Sequence, residues 1–480
     1  MEERSKFEVT IGGKAYDVRA AFDVVNPATE EVIARAPDCG PEEVDAAVGA
    51  AKAAFPAWKK TPFEERAECV RKIASQLTDN ADELMRLLTI EQGKPHNDAS
   101  GEIAAAAYWC NSVASLELPI VTNEDSDDRR SVTTRVPIGV VAAIVPWNYP
   151  VLLAIWKIAP ALLAGNTLVV KPSPYTPLTM LKLGELLRGL IPDGVFNVIS
   201  GGDQLGPLIT EHPGIDKVSF TGSTATGARV MASAAASLKH LTLELGGNDP
   251  AIVLPDVDID EVAEKLFWAA FSNSGQICIA AKRVYVHRDV YEPLKKAIAK
   301  VASRVIVGDG SQQGVQLGPI QNRAQYERVK SLIEDSRASG HEFLVGGDIP
   351  ERRGFFIPVT IVDNPPESSR VVQEEAFGPV LPLIKFDEID EAVRRANDTI
   401  FGLGASVWSR DEAKAAEIAA ELEAGTVWIN EIQNLSPFAS FAGHKKSGIG
   451  VENGLEGLLQ YTNPQTVSLG KRKSDPAETA

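Results

Sequence analysis

Short, mostly apolar runs alternate along most of the chain with stretches whose apolar residues recur at helical spacing. Such runs predict strands, and the first group covers residues 140–145, 167–171, 195–199, 216–220 and 240–245. A second group covers residues 251–254, 283–287, 383–386 and 426–430. Continuously apolar strands that alternate with helices are typical of a parallel sheet covered by helices on both faces. The pattern therefore predicts an α/β fold whose two halves meet near residues 246–247.

Helical spacing of apolar residues predicts helices before and between these strands. In the first of them Val44, Val48 and Ala51 share one face, and Pro41 marks its beginning. The chain between residues 124 and 130 is charged and has no apolar residue, which indicates a hairpin turn or a protruding arm. The predicted helices cover residues 43–58, 63–77, 82–92, 151–163, 177–190, 225–236, 258–272, 290–305, 324–339 and 411–423.

Length, charge and cysteine usage narrow the class of protein. A chain of 480 residues with 44% hydrophobic residues is long enough for two or three globular domains. Its net charge of −17 disfavours a nucleic-acid partner, because phosphate binding needs a basic face. The four cysteines show no CxxC spacing, so we expect neither a disulfide scaffold nor a metal site.

The terminal residues and the apolar segments of the chain indicate where in the cell we expect the protein. The first ten residues lack the apolar segment of a signal peptide. No apolar stretch reaches the roughly 20 residues that span a bilayer. We therefore expect a soluble, cytoplasmic protein without a membrane partner. The polar residues 470–480 are expected to form a flexible tail.

Four segments carry residues that could perform chemistry, and each has a simpler structural explanation. Residues 220–227, FTGSTATG, join a strand to a helix and form either a phosphate-binding turn or an ordinary one. Cys278 is either a nucleophile or a small buried apolar residue. Glu244, at the end of a strand, lies either in a crevice or in a surface ion pair. Asn148 either stabilises an oxyanion or caps the helix that follows.

The order and spacing of seven stretches are more specific than any one segment. In this order the chain resembles the aldehyde dehydrogenase superfamily from about residue 22 to residue 469. The resemblance implies a Rossmann-like cofactor domain (1–120 and 138–245), an α/β catalytic domain (246–451) and a small β oligomerisation arm (121–137 and 452–469). The matching stretches are VPWNYP (145–150), KPSPYTP (171–177), FTGST (220–224), LELGGNDP (243–250), SGQIC (274–278), EEAFGPV (374–380) and KSGIG (446–450).

The resemblance also implies a reaction, the NAD(P)-dependent oxidation of an aldehyde to a carboxylic acid. Cys278 would be the nucleophile, Glu244 the general base and Asn148 the oxyanion donor. These residue types suit the chemistry, because an activated thiol can carry a thioester that an activated water then hydrolyses. A free thiol has a pKa of about 8.5 and needs such activation to react as the thiolate.

A dinucleotide site is implied in the same way. One position departs from the family pattern: Pro174 stands where NAD-preferring relatives often have the glutamate that binds the adenosine ribose. No neighbouring arginine or lysine is apparent that would attract a 2′-phosphate instead, so we expect NAD, with NADP as the alternative. The implied ligands are Lys171 for a ribose, Gly222, Ser223 and Gly227 for the pyrophosphate, Glu375 for the nicotinamide ribose, and the rings of Trp147 and Phe377 near the nicotinamide.

The substrate pocket implied by the resemblance is mostly apolar. No arginine is apparent there to bind a substrate carboxylate. This composition favours an apolar aliphatic or aromatic aldehyde over an acidic semialdehyde, although the same residues could merely pack around the site. The set comprises Tyr149, Leu153, Trp156, Ile277, Ile279 and the loop 434–441.

Two other functions remain open, and so does the assembly. A CoA-acylating semialdehyde dehydrogenase would pass the acyl group to CoA, but the presence of Glu244 favours hydrolysis. A non-catalytic protein with the same fold is disfavoured by the presence of Cys278, Glu244, Asn148 and Lys171. Extended arms usually complete the sheet of a neighbouring subunit, so we expect a homodimer or homotetramer.

Overall fold

A computed structural model describes residues 7–471. Its strands are β1 (Val9–Ile11), β2 (Lys14–Tyr16), β3 (Ala21–Asn26), β4 (Glu31–Pro37), β5 (Val121–Asp125), β6 (Arg129–Pro137), β7 (Val140–Ile144), β8 (Thr167–Lys171), β9 (Phe196–Val198), β10 (Lys217–Thr221), β11 (His240–Glu244), β12 (Asp249–Val253), β13 (Ala281–His287), β14 (Glu342–Val345), β15 (Thr360–Asp363), β16 (Val380–Phe386), β17 (Gly404–Trp408), β18 (Thr426–Ile429), β19 (Gly448–Ile449) and β20 (Thr462–Gly470).

Helices connect most of these strands. They are α1 (Pro41–Trp58), α2 (Phe63–Asp79), α3 (Ala81–Gln92), α4 (His96–Val113), α5 (Leu152–Leu163), α6 (Leu178–Leu186), α7 (Leu205–Thr210), α8 (Thr224–Ala235), α9 (Ile259–Phe271), α10 (Arg288–Ala302), α11 (Arg323–Ala338), α12 (Arg370–Gln373), α13 (Ile389–Asn397), α14 (Glu412–Ala420) and α15 (Gly454–Leu459). Among residues 7–471 no helix is both long and apolar enough to cross a membrane.

The first large sheet has the strand order β19-β11-β10-β7-β8-β9-β1-β2. Its five central strands, β11 to β9 in that order, run parallel, as the continuous apolar runs predict. From β7 the chain moves outwards through β8 and β9, and later through β10 and β11 on the other side. Ligands of open α/β sheets bind at such a switch in direction, beyond the carboxyl ends of the strands. The segments after β7 and β10 are therefore well placed to form a site.

The second large sheet has the order β14-β15-β16-β13-β12-β17-β18, parallel except for β14. Separate apolar clusters cover its two faces: Ala251 and Val253 of β12 point into one, and Ile252 into the other. Only four residues separate the end of β11 from the start of β12. This short connection brings the carboxyl ends of the first sheet against the amino ends of the second.

Two smaller sheets complete the fold. The three antiparallel strands β20, β6 and β5 form one of them, and β3 pairs with β4 in the other. The charged segment 124–130 is the turn between β5 and β6, as expected. Strand β19, which lies in the range 246–451, pairs with β11 of the first sheet, so the chain returns to that sheet near its end.

Most predicted elements are confirmed, although some bounds differ and several elements were not predicted. Helix α6 ends at Leu186 rather than at residue 190, and the chain there turns through Gly189, which has a positive φ of 75°. Gly470 belongs to strand β20 and not to a tail, while residues 472–480 lie outside the described residues. Helix α4 was not predicted, because its many alanines and its burial on several sides leave no clear stripe of apolar residues. Helix α13 and strand β17 were also missed.

The side chain of Asn166 connects the start of strand β7, helix α5 and the residue before strand β20 through hydrogen bonds. Its Oδ1 accepts hydrogen bonds from the backbone nitrogens of Ile138 and Gly139, at 2.8 and 2.9 Å. Its Nδ2 donates to the carbonyl oxygens of Ala161 and Tyr461, at 3.1 and 2.9 Å. The side chain is fully buried, so its removal would leave three backbone groups unsatisfied, because the Ala161 carbonyl still accepts a hydrogen bond from the backbone nitrogen of residue 166 at 3.0 Å.

We therefore expect Asn166→Ala to destabilise the protein by about 3 kcal/mol or more, since each unsatisfied buried group costs about 1–3 kcal/mol. Thermal melting followed by circular dichroism measures the loss. The control is Asn123→Ala, which removes an exposed side-chain hydrogen bond to Thr133 and should change stability by less than about 0.5 kcal/mol. Equal melting temperatures for the two variants would show that Asn166 does not hold these elements.

Candidate active site

Two connected cavities lie where the large sheets meet. The first, of about 560 Å³, contains Cys278, Glu244 and Asn148 in its lining. The second, of about 580 Å³, contains Lys171 and Pro174. They share a wall formed by the turns after β7 and β10, namely Pro146, Trp147, Thr221, Gly222 and Ser223. The structure thus gathers residues that are more than 100 positions apart in the sequence into one continuous cleft.

Cys278 follows a short loop with an unusual backbone. Asn273, Ser274 and Gly275 all have positive φ, at 50°, 54° and 72°. A Cβ atom on Gly275 would lie 2.2 Å from the carbonyl oxygen of Gly378, so this position requires glycine. Non-glycine residues held in the left-handed region cost of the order of 1–3 kcal/mol each and persist only where the surroundings enforce them.

Buried hydrogen bonds enforce this loop conformation. The Ser274 hydroxyl donates to the carbonyl oxygen of Gly318 at 2.7 Å, and Gln276 Nε2 donates to that of Asn273 at 2.9 Å. Asn273 Nδ2 in turn donates to the carbonyl oxygen of Asn148 at 3.2 Å. The loop before Cys278 is therefore fixed against the turn after β7.

Asn148 lies on that turn and is buried. Its Nδ2 donates to the carbonyl oxygen of Gln276 at 3.1 Å, which places the amide beside the loop that carries Cys278. An amide nitrogen has two hydrogens, so one remains available for an oxyanion. The Asn148 carbonyl also accepts a hydrogen bond from the buried Lys94, which forms an ion pair with Glu102 at 2.5 Å.

Glu244 is the last residue of β11 and is buried. Neither of its carboxylate oxygens has a hydrogen-bond partner among the described residues. Burial raises its pKa to about 8, against the opposing charge of Lys157. Lys157 is itself buried and forms an ion pair with Glu452 at 2.7 Å. A carboxyl group with such a pKa can exchange a proton near neutral pH, as general base catalysis requires.

The Cys278 thiol shares this environment. Burial and the neighbouring Glu244 raise its pKa well above the usual range, whereas Lys282 lowers it. The other three cysteines, Cys39, Cys69 and Cys110, are buried and line neither cavity. Among the four cysteines, Cys278 is thus the one that lines the cleft.

The turn after β10 shapes the second cavity. Ser223 caps helix α8, and its hydroxyl accepts a hydrogen bond from the backbone nitrogen of Thr226 at 3.2 Å. A Cβ atom on Gly227 would lie 2.4 Å from a methyl group of Leu245, so glycine lets the helix pack against this residue. The amino end of α8 therefore faces the cleft with unpaired backbone N–H groups, which suits a pyrophosphate.

Lys171 ends β8 on the wall of the same cavity. Burial lowers its pKa to about 8, and the carboxylates of Asp203 and Asp38 act in the opposite direction. Its only hydrogen bond that the described residues supply is to the carbonyl oxygen of Pro172 at 3.2 Å. The buried ammonium group therefore retains donors for the hydroxyl groups of a ribose.

The first cavity is lined by the groups that the resemblance assigned to the nicotinamide half. The rings of Trp147 and Phe377 lie edge to face with centroids 5.3 Å apart. Glu375 Oε1 accepts a hydrogen bond from the backbone nitrogen of Gly247 at 3.1 Å, next to the end of β11. Two aromatic rings and a fixed carboxylate suit a planar ring attached to a ribose.

Three charged residues of the cleft were not recognised from the sequence. Contrary to our expectation of no nearby arginine, Arg229 of α8 lines the second cavity together with Pro174, and so does Asp203. Arg328 lines the first cavity, where its guanidinium donates to the carbonyl oxygen of Glu375 at 3.0 Å. Asp203 and Arg328 are distant in sequence from the motifs, and only the fold brings them to the cleft. Arg229 lies five residues after the FTGST stretch, on helix α8.

The residues assigned to the substrate pocket belong to the first apolar core cluster or pack against it. Trp156 contacts Phe441 with ring centroids 5.6 Å apart, which joins helix α5 to the loop 434–441. None of the five assigned residues lines the two cavities of the cleft. Ile277 and Ile279 flank Cys278 in the chain and are buried, as are Leu153 and Trp156, while Tyr149 is half-buried.

Among residues 7–471, no group of His, Cys, Asp and Glu side chains could hold a metal ion.

Comparisons with known proteins agree with this architecture. The sequence profile of the aldehyde dehydrogenase family matches residues 15–467. A probable aldehyde dehydrogenase of a Pseudomonas species is 44% identical over 468 residues, covering 97% of this chain and 95% of the relative. The phenylacetaldehyde dehydrogenase of Pseudomonas fluorescens is 39% identical, covering 97% and 96%. The NAD⁺ complex of aldehyde dehydrogenase from Bacillus cereus superposes with a TM-score of 0.94 at 36% identity, covering 98% and 97%.

Proposed function

Because the chain belongs to the aldehyde dehydrogenase family, we propose that it oxidises an aldehyde to the carboxylic acid with NAD(P)⁺ through a thioester on Cys278. One observation carries the proposal: Cys278, Glu244 and Asn148 line a single cavity that opens into a second one suited to a dinucleotide. We assign the first sheet to cofactor binding and the second, with the Cys278 loop, to catalysis.

The first step uses Cys278 and Asn148. The thiolate sulfur attacks the carbonyl carbon of the aldehyde, and the carbonyl π electrons move to oxygen to give a tetrahedral oxyanion. The Asn148 amide, fixed beside the Cys278 loop, donates a hydrogen bond to this oxygen. When bound, the nicotinamide cofactor supplies the acceptor for the hydride that the tetrahedral carbon loses, which leaves a thioester on Cys278.

The second step uses Glu244. Its carboxylate takes a proton from water, the water oxygen attacks the thioester carbon, and the C–S bond breaks to release the acid and the thiolate. A pKa raised to about 8 makes Glu244 a stronger base than an exposed glutamate. The base form increases with pH through this value, so hydrolysis should become faster from pH 7 to pH 9. The presence of Glu244 favours this route over transfer to CoA.

The residues of the cleft fit NAD(P). Lys171 would bind ribose hydroxyls, the amino end of α8 at Ser223 the pyrophosphate, and Glu375 the second ribose. Asp203 and Arg229, which carry opposite charges, both line the cavity that would hold the adenosine ribose. At this ribose NADP has a 2′-phosphate, whereas NAD has a hydroxyl group. We propose NAD as the cofactor, with NADP as an alternative that Arg229 would support.

We propose an apolar aliphatic or aromatic aldehyde as substrate, supported by the apolar residues around Cys278 and by the similarity to a phenylacetaldehyde dehydrogenase. A homodimer or homotetramer in the cytoplasm remains our prediction. The arm formed by β5, β6 and β20 supports the assembly, because it exposes Val121, Val467 and Leu469 and has free edges on β20 and β5.

The test of this function measures NADH formation from a panel of aldehydes, phenylacetaldehyde and hexanal among them, with and without CoA. We expect turnover without CoA that Cys278→Ala abolishes, while Cys69→Ala, at another free cysteine, leaves the rate within about twofold, since this thiol is remote from the cleft. Strict dependence on CoA would favour the acylating function. Turnover by Cys278→Ala would refute the nucleophile, and no turnover with any aldehyde by a folded protein would favour a non-catalytic role.

A second prediction concerns cofactor choice. Arg229→Ala removes a positive charge from the cavity that Pro174 also lines. We expect the ratio of kcat/KM for NADP to that for NAD to fall roughly tenfold, the effect of one charge-assisted hydrogen bond. Pro174→Glu should lower the same ratio by repelling the 2′-phosphate. Steady-state kinetics with both cofactors provide the ratio, and Lys60→Ala, at an exposed position remote from the cleft, is the control. Unchanged ratios in folded variants would remove both residues from the adenosine ribose site.

A further inference from the structure

Lys282 lies four residues after Cys278, at the second position of β13, and its side chain is buried. Its Nζ donates a hydrogen bond to the carbonyl oxygen of Cys278 at 2.5 Å. The same atom is 3.5 Å from Oε1 of Glu375. One buried ammonium group thus contacts both the backbone carbonyl of the residue that carries the candidate nucleophile and the candidate ribose ligand.

Lys282 also lies near an aromatic ring of the cleft and a second buried carboxyl group. Its Nζ lies 5.9 Å from the centre of the Phe377 ring, which faces Trp147 across the cleft. Its charge also lowers the pKa of the buried Asp249, which burial raises to about 7. Lys282 therefore stands between the first residues of the second sheet and the segment 375–377 that lines the cleft.

Charges of both signs act on the Cys278 thiol. Glu244 at the end of β11 and Asp249 at the start of β12 both disfavour the thiolate, and so does burial. Lys282 is the cation that acts in the opposite direction. Arg328, on the same cavity wall, is engaged with Glu374 at 3.4 Å and with the carbonyl of Glu375.

We propose that Lys282 is a positioning residue that joins the Cys278 backbone to Glu375 and supplies the positive charge that makes the Cys278 thiolate accessible for reaction. The proposal rests on the proposed function in taking Cys278 as the nucleophile. Lys282 would then have two functions that can be measured separately. The ammonium group stabilises the thiolate electrostatically, and its contact with Glu375 holds this carboxylate, together with the Gly247 N–H, in place for a ribose.

The experiment measures the reactivity of the thiol directly. Iodoacetamide alkylates the thiolate, with loss of iodide, so the pH dependence of the alkylation rate reports the pKa of Cys278 without any aldehyde. Peptide mass spectrometry restricts the measurement to Cys278. In Lys282→Met we expect the midpoint of this profile to rise by about one pH unit or more, because an opposite charge within a few ångströms shifts a pKa by about 1–3 units.

Two further variants separate charge from packing. Lys282→Arg keeps the charge and should restore most of the wild-type profile. Lys239→Met removes a different buried lysine, whose Nζ donates to the carbonyl oxygens of His212 and Ile215 at 2.8 Å, and should leave the profile unchanged. If Lys282→Met does not fold, Lys282→Gln makes the same comparison with a polar side chain.

NAD binding, followed by nucleotide titration of the protein without aldehyde, tests the second task. We expect Lys282→Met to weaken NAD binding several-fold and Lys282→Arg to weaken it less. An unshifted alkylation profile in Lys282→Met, or equal damage in the arginine variant, would overturn the proposal. Because neither measurement needs turnover, these results stand apart from a failure of aldehyde oxidation, which would count against the proposed function alone.

Discussion

The close approach of two backbones at residues 246–247 is the constraint on which the site depends. A Cβ atom on Gly247 would lie 2.8 Å from the carbonyl oxygen of Cys278, and one on Gly246 would lie 2.3 Å from a carboxylate oxygen of Glu375. At Gly247 the neighbour is backbone, so glycine is required, whereas at Gly246 the Glu375 side chain would have to move to admit a larger residue. The four-residue connection between the large sheets can therefore run directly behind Cys278, with Glu244 at one end and strand β12 of the second sheet at the other.

This close packing also sets the electrostatics. Glu244 and Cys278 are buried together, so each disfavours ionisation of the other and both have raised pKa values. The protonation state of either group therefore depends on that of the other. The backbone strain at Asn273 and Ser274 serves the same arrangement, because the buried hydrogen bonds that enforce it hold Cys278 against Asn148.

Periodicity predicted the architecture well where one face of an element is apolar or a strand is wholly buried. Strand β8 was placed at its observed bounds, and the charged turn between β5 and β6 was recognised by its lack of apolar residues. Resemblance predicted the residues to which we assign the chemistry, and the structure places Cys278, Glu244 and Asn148 in one cavity. Neither method could find Arg229, Asp203 or Lys282, because their importance comes from neighbours on other elements. The contact between Trp156 and Phe441, which joins helix α5 to the loop 434–441, is likewise encoded by no local pattern.

The central claim is that the acyl group is held on Cys278 before water, activated by Glu244, releases it. Glu244→Gln keeps the shape of the side chain but removes the base, so the thioester should accumulate after NAD and a substrate aldehyde are added. Intact-protein mass spectrometry should then show one acyl group per chain, and digestion should place it on Cys278, with about one NADH formed per subunit. Undiminished steady turnover without an acyl adduct, or an adduct on another residue, would contradict the account.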